Sequence, residues 1–135
     1  MTTANPLAAT GLVALGGGAG AVLRYQAGRA LTALLGPATM ITFPWATLVV
    51  NVVGSLAMGL LAGWLARHGS ANDTWRLLMG VGLLVGFTTF SAFSLELMLL
   101  IERGEATTAF AYALISVLAG VTALYIGLIV MRVAA

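Results

Sequence analysis

The chain has 135 residues, of which 61% are hydrophobic and only 7% carry a formal charge. Soluble domains reach about 45–50% apolar residues with glycine included, so this composition excludes an ordinary soluble domain and points to a membrane protein. Net charge is +2, with six basic residues, all arginine, against four acids. The high pI therefore reflects scarce acids rather than a basic patch, and nucleic acid is not an expected partner. With no cysteine, disulfides and thiolate metal sites are excluded.

Four segments are long enough to span, since crossing about 30 Å of hydrocarbon takes about 20 mostly apolar residues. The first is Pro6–Leu35. It is too long for the apolar core of a signal peptide, and Met1–Asn5 carries no basic side chain, so it reads as a retained helix. Gly16-Gly17-Gly18-Ala19-Gly20-Ala21 matches the dinucleotide pattern G-x-G-x-x-G/A. That fingerprint needs a strand before it and an acid about 20 residues on, but the first acid here is Asp73. The glycines read instead as close helix packing, with Gly16, Gly20, Arg24 and Gly28 four apart on one face. Arg24 lies deep in this span. It is either a snorkelling arginine near the helix end or a cation that draws an anion into a vestibule.

The second segment, Trp45–Ala66, carries Thr47, Asn51 and Ser55 at a spacing of four, one polar track on one face. Gly59 and Gly63 form a small-residue pair, as do Gly82 and Gly86 in the third segment. That third segment, Trp75–Ile101, is interrupted near its middle by Gly86-Phe87-Thr88-Thr89-Phe90-Ser91-Ala92-Phe93. A helix that only spans lipid has no need of such a run. Non-helical backbone at membrane depth survives only where protein or a polar cavity covers it, and broken helices are where transporters build ion sites. The spacing predicts carbonyls free of helix bonding from Gly86 through Thr89. Phe90 and Phe93 share a face if helix resumes there. They are either packing residues or rings whose positive edges line an anion path. Glu96, the one acid clearly inside a span, reads as a helix-end residue in a wet vestibule, with a proton relay as the other reading.

The fourth segment, Thr107–Met131, has a second track, Thr108, Tyr112, Ser116 and Gly120. The two tracks are either interhelical glue or the lining of a pore. Links from Gly36-Pro37 to Pro44, Arg67 to Thr74 and Glu102 to Ala106 leave no room for a soluble domain, so residues 1–135 read as a single four-helix transmembrane domain. Four spans put Arg67, Arg76 and Arg132 on one side against Arg29 and Arg103 on the other. So small a bias permits insertion both ways round, and hence an antiparallel homodimer, or else one fixed orientation.

Together these residues resemble the Fluc (CrcB) fluoride channels. Gly17-Gly18-Ala19-Gly20-Ala21 with Arg24-Tyr25 is similar to the family's first-helix signature. Thr47-Leu48-Val49-Val50-Asn51 with Gly54-Ser55 is similar to the second. Thr88-Thr89-Phe90-Ser91-Ala92-Phe93 with Glu96 resembles the broken third helix, and Tyr112 with Ser116 matches the fourth. The resemblance implies a dual-topology, antiparallel homodimer in the bacterial inner (plasma) membrane, with two fluoride pores. It implies that Phe90 and Phe93 line each pore and that Asn51 donates to the anion, with Arg24, Tyr112, Ser116 and Glu96 along the path. It also implies a structural sodium ion at the dimer centre, held by main-chain carbonyls of Val85 and Thr88. The family usually has glycine where this chain has Ala46 and Val85, and threonine at Ala92.

The resulting expectation is an all-α, multi-pass membrane protein that passes fluoride passively and is not an enzyme. The rival is a small multidrug-type four-helix exporter. It would need a carboxylate to exchange protons, whereas the deep charge of the first span here is an arginine.

Overall fold

A computed structural model describes residues 5–68 and 73–133. Part of the Arg67–Thr74 link and all but the last residue of Met1–Asn5 lie outside the described residues. The described residues are helical apart from short links: α1 (Pro6–Leu35), α2 (Pro37–Thr42), α3 (Trp45–His68), α4 (Asp73–Trp75), a π-helical run (Arg76–Leu84), α5 (Val85–Phe87), α6 (Phe90–Glu102) and α7 (Ala106–Val133). Among the described residues, four units are long and apolar enough to cross a membrane: α1, α3, the bent unit Asp73–Glu102, and α7. This is a multi-pass membrane protein with one bent span.

Local chemistry sets the helix ends. Asn5 caps α1, its Oδ1 accepting from the Leu7 N–H at 3.0 Å, and Pro6 follows at the first helical position, where its missing N–H costs nothing. Gly36 ends α1 at φ 82°, a conformation that a side chain disfavours. The Gly36–Pro44 link is not a plain loop, because Pro37 restarts the chain as the short helix α2. Arg103, just after α6, donates from Nη1 to the Ile41 carbonyl at 3.1 Å and ties the far end of the bent span to α2.

The bent span shows two features not read from the sequence. Its first half is wound as a π-helix, which the apolar pattern does not reveal. Its extended backbone is also short: Gly86 and Phe87 remain helical, and only Thr88 (φ −80°, ψ 160°) and Thr89 (φ −153°, ψ 123°) are extended. Val85 lies at φ −69°, ψ −36°, ordinary helix, so its β-branch meets no backbone conflict.

Packing is backbone against backbone. Gly16 and Gly20 of α1 lock into Gly82 and Gly86 of the bent span. A Cβ on Gly20 would collide with the Leu83 carbonyl and come within 2.7 Å of the Phe87 nitrogen, and one on Gly86 would come within 2.6 Å of the Gly17 carbonyl. On the other side of the unit, Gly59 meets Leu124 and Gly127 meets Leu56 and Leu60, so α3 and α7 close in the same manner. In lipid, where hydrophobic burial does not drive helices together, such close approach is the main source of cohesion.

The break redirects the chain. Before it, the bent span packs on α1; after it, α6 packs on α7 and α3. The rest of the Gly16–Gly20 face, namely Arg24, Gly28 and Thr32, is therefore left without a helix against it, and a Cβ on Gly28 would meet nothing within 4 Å. An open groove results.

Gly20→Ala should destabilise the folded protein by about 1–3 kcal/mol through overpacking. Gly11→Ala, in open space on the same helix, should cost nothing. Thermal unfolding in detergent compares the two, and equal midpoints would refute the locked-glycine contact.

Candidate functional site

The two adjacent threonines each close one half of the bent span. Thr88 donates its N–H (3.0 Å) and its hydroxyl (2.9 Å) to the Leu84 carbonyl, finishing α5. Thr89 Oγ1 accepts from the Ala92 N–H at 3.2 Å, starting α6 as an N-cap. The extended peptide between them is held from α3. Asn51 Oδ1 accepts from the Thr89 N–H at 2.8 Å, and Asn51 Nδ2 donates to the Thr89 carbonyl at 3.1 Å. In a continuous helix the Thr89 N–H would bond the Val85 carbonyl four residues back. Asn51 takes that proton instead, so the Val85 carbonyl loses its helix partner.

The clasp leaves one Asn51 N–H uncommitted, because a primary amide has two. Asn51 lines a pocket of about 280 Å³ together with Ser55, Thr88 and Phe90. Thr89 lines this pocket and also the larger groove beside α1, so the clasp stands in the wall between the two spaces.

Glu96 forms the second cluster. Its Oε1 accepts from Thr47 Oγ1 and its Oε2 from Tyr112 Oη, each at 2.7 Å. Both carboxylate oxygens thus accept from a hydroxyl. Glu96 lies midway along α6 rather than at a helix end, which corrects the sequence reading, and it also borders a cavity of about 370 Å³ with Arg103. Tyr112 is fully buried, its ring edge-on to Phe43 (5.4 Å between centroids) and tilted on Phe93 (5.1 Å). With Leu48, Leu100 and Ala109 it forms the apolar core of this half.

The two polar tracks do come together. Thr47 and Tyr112 share Glu96, and Ser55 faces Gly120, where an added Cβ would lie 3.6 Å from Ser55 Oγ. Ser116 is the exception: among the described residues, its Oγ is buried with no hydrogen-bond partner. Phe90 and Phe93 are neighbours at 5.7 Å, but they live in different surroundings. Phe93 packs against the Tyr112 core, whereas Phe90 is 79% exposed. Arg24 is half-buried in the groove of about 850 Å³ that also holds Tyr25 and Arg29.

Sequence reasoning found these side chains but not their pairing. It missed the Thr89 backbone as the partner of Asn51, because a side chain–backbone bond across 38 positions leaves no spacing signal. The sequence places Arg29 beyond Arg24 toward the helix end, but not that both line one groove, since a five-residue offset turns the second about 140° round the helix from the first.

The family profile described as "CrcB-like protein, Camphor Resistance (CrcB)" matches residues 11–128. A protein named "Fluoride-specific ion channel FluC" from Novosphingobium aromaticivorans is 59% identical over 126 residues, covering 93% of this chain and 98% of that protein. Proteins of the same name from Erythrobacter litoralis (53% identical over 133 residues, 98% of each chain) and Sphingopyxis alaskensis (51% over 120 residues, 89% of this chain and 92% of that one) are also similar. With a profile over nearly its whole length and relatives at this identity, the chain belongs to the CrcB family.

Proposed function

We propose that this protein is a fluoride-specific channel that lets fluoride cross the membrane passively. The observation that carries it is the near-full-length identity with relatives named as fluoride-specific ion channels. The chemistry of the chain supports it. Fluoride is small and strongly hydrated, so a pore must replace its water with donors and still let it leave. Two donors are uncommitted, the second Asn51 N–H beside the break and the unpartnered Ser116 hydroxyl on α7. The edges of Phe90 and Phe93 add weak positive potential. Thr47 and Tyr112, by contrast, have their hydroxyl protons committed to Glu96. They bear on the anion only when Glu96 gives one of them up. Arg24 supplies the positive charge that draws an anion in.

The passage forms between two antiparallel copies in the bacterial inner membrane. This reading is supported by the exposure of Phe90 and Val85 beside the break and by the near-even split of arginines across the membrane. A second copy would cover those faces. The Val85 carbonyl, released when Asn51 takes the Thr89 N–H, and the extended Thr88 carbonyl fit a hard alkali cation. The ligands would be main-chain oxygens. Two carbonyls cannot complete such a site alone, whereas two copies meeting at the break can. Bound sodium would supply a fixed positive charge that joins the two breaks without moving through the pore.

Purified protein in liposomes should release fluoride and retain chloride. Phe90→Ile should cut fluoride efflux sharply without lowering stability. Phe93→Ile should cut efflux and also cost about 1 kcal/mol of packing against Tyr112. A fluoride electrode reads the efflux, and unchanged flux in both variants would reduce the rings to packing residues.

The paired assembly is tested separately. Labelled C-termini should appear on both faces of the membrane, and replacing sodium by a large organic cation should weaken the dimer. C-termini confined to one face would remove the antiparallel arrangement. An unchanged dimer after exhaustive exchange would remove the sodium.

A further inference from the structure

Tyr112 is fully buried and gives its hydroxyl proton to Glu96 at 2.7 Å. Its ring can turn away from Glu96 only if a neighbour yields. Two aromatic rings touch it, Phe93 tilted at 5.1 Å and Phe43 edge-on at 5.4 Å. Phe93 belongs to α6, a helix of 13 residues. Phe43 has no such support. It ends α2, a helix of 6 residues, none of them buried. A helix so short is not stable by itself, so the place of Phe43 depends on what holds α2.

Two features hold it. Pro44 follows Phe43 and confines it to extended backbone, observed at φ −151°, ψ 139°. Arg103 reaches across 62 positions and donates from Nη1 to the Ile41 carbonyl at 3.1 Å, on the turn that ends in Phe43. Among the described residues no other side chain outside α2 hydrogen-bonds to it. Glu102 and Glu105 flank Arg103 in the chain. Even so, the one salt bridge among the described residues is Arg76 with Asp73, so the Arg103 guanidinium is engaged on α2 and not on a carboxylate. All of these contacts lie within one chain.

We propose that Arg103 and Phe43 are positioning residues for fluoride conduction: Arg103 pins α2, α2 keeps the Phe43 ring against Tyr112, and Tyr112 thereby keeps its proton on Glu96. The proposal rests on the fluoride-channel reading. What the clamp sets is how tightly the path holds the anion. A phenol O–H released from Glu96 would form a charge-assisted hydrogen bond to fluoride, stronger than one between neutral groups. Conduction requires that the ion also leave, so a path that binds too well conducts poorly. Loosening the clamp frees the donor, deepens the well and slows the exit.

Single-channel fluoride currents of the full-length protein in planar bilayers, recorded against fluoride concentration, give a half-saturating concentration and a limiting current. Arg103→Gln should lower the half-saturating concentration about threefold, the scale on which residues acting through others shift an equilibrium, and should lower the limiting current too. Arg103→Lys keeps an N–H donor for Ile41 and should restore both. Phe43→Leu should act as Arg103→Gln does. In a Tyr112→Phe background the phenol is gone, and Arg103→Gln should leave the half-saturating concentration where it is. A purely structural role lowers the current without tightening binding. An unchanged or raised half-saturating concentration in Arg103→Gln therefore overturns the clamp, and so does a shift that persists in full in the Tyr112→Phe background. Arg103 is exposed, so its variant decides the matter even where Phe43→Leu fails to fold. Absence of any fluoride current from the unaltered protein would overturn the channel reading and the clamp with it, whereas the other outcomes bear on the clamp alone.

Discussion

The two hydrogen bonds between the Asn51 side chain and the Thr89 peptide are the constraint from which the rest of the molecule follows. A membrane interior offers no water to an opened backbone, so a break there needs its own partners. The Asn51 amide presents a carbonyl and an N–H side by side, as a neighbouring strand would, and satisfies both groups of Thr89. Thr88 and Thr89 then finish the two half-helices with their own hydroxyls. Because the chain steps aside at this point, the bent span packs on α1 before the break and on α7 after it. The groove beside Arg24, the smaller pocket beside Phe90 and the loss of the Val85 carbonyl's helix partner are consequences of that step.

Proton allocation then decides what each polar group can offer an anion. A track of Thr, Asn, Ser and Tyr looks like a row of equivalent donors. Here the hydroxyl protons of Thr47 and Tyr112 are committed to Glu96, while Ser116 and one Asn51 N–H remain. Glu96 thus holds two of the hydroxyl protons that the polar tracks would otherwise have to offer. The same allocation weighs against the multidrug-type alternative, since a carboxylate that exchanges protons with a cation must be open to it, and both Glu96 oxygens already carry hydrogen bonds.

The architecture was largely legible in the sequence because its causes are local. Pro6, Gly36 and Pro37 mark helix ends, apolar length marks four spans, and the four-residue repeat of glycines marks contact faces. The Gly16–Gly20 stripe against Gly82–Gly86 is found in the structure. The π-helical winding of Arg76–Leu84 and the short α2 were not legible, since both keep an apolar or mixed pattern compatible with simpler readings. The site residues were legible as polar groups at membrane depth, which are costly enough to require a purpose. Their partners were not, because Asn51 to Thr89 and Tyr112 to Glu96 are bonds between different helices. That Gly86 stays helical was not legible either, because glycine favours irregular backbone in isolation, whereas here Gly17 presses against it.

Fluoride efflux from liposomes carrying Asn51→Ala tests most directly whether this clasp shapes the passage. Alanine removes both bonds to Thr89 and frees its N–H to return to the Val85 carbonyl, straightening the span. The account predicts a folded protein with fluoride efflux reduced to near the leak of empty liposomes. Efflux equal to that of the unaltered protein would contradict it, because the break and its Asn51 partner would then be dispensable for conduction.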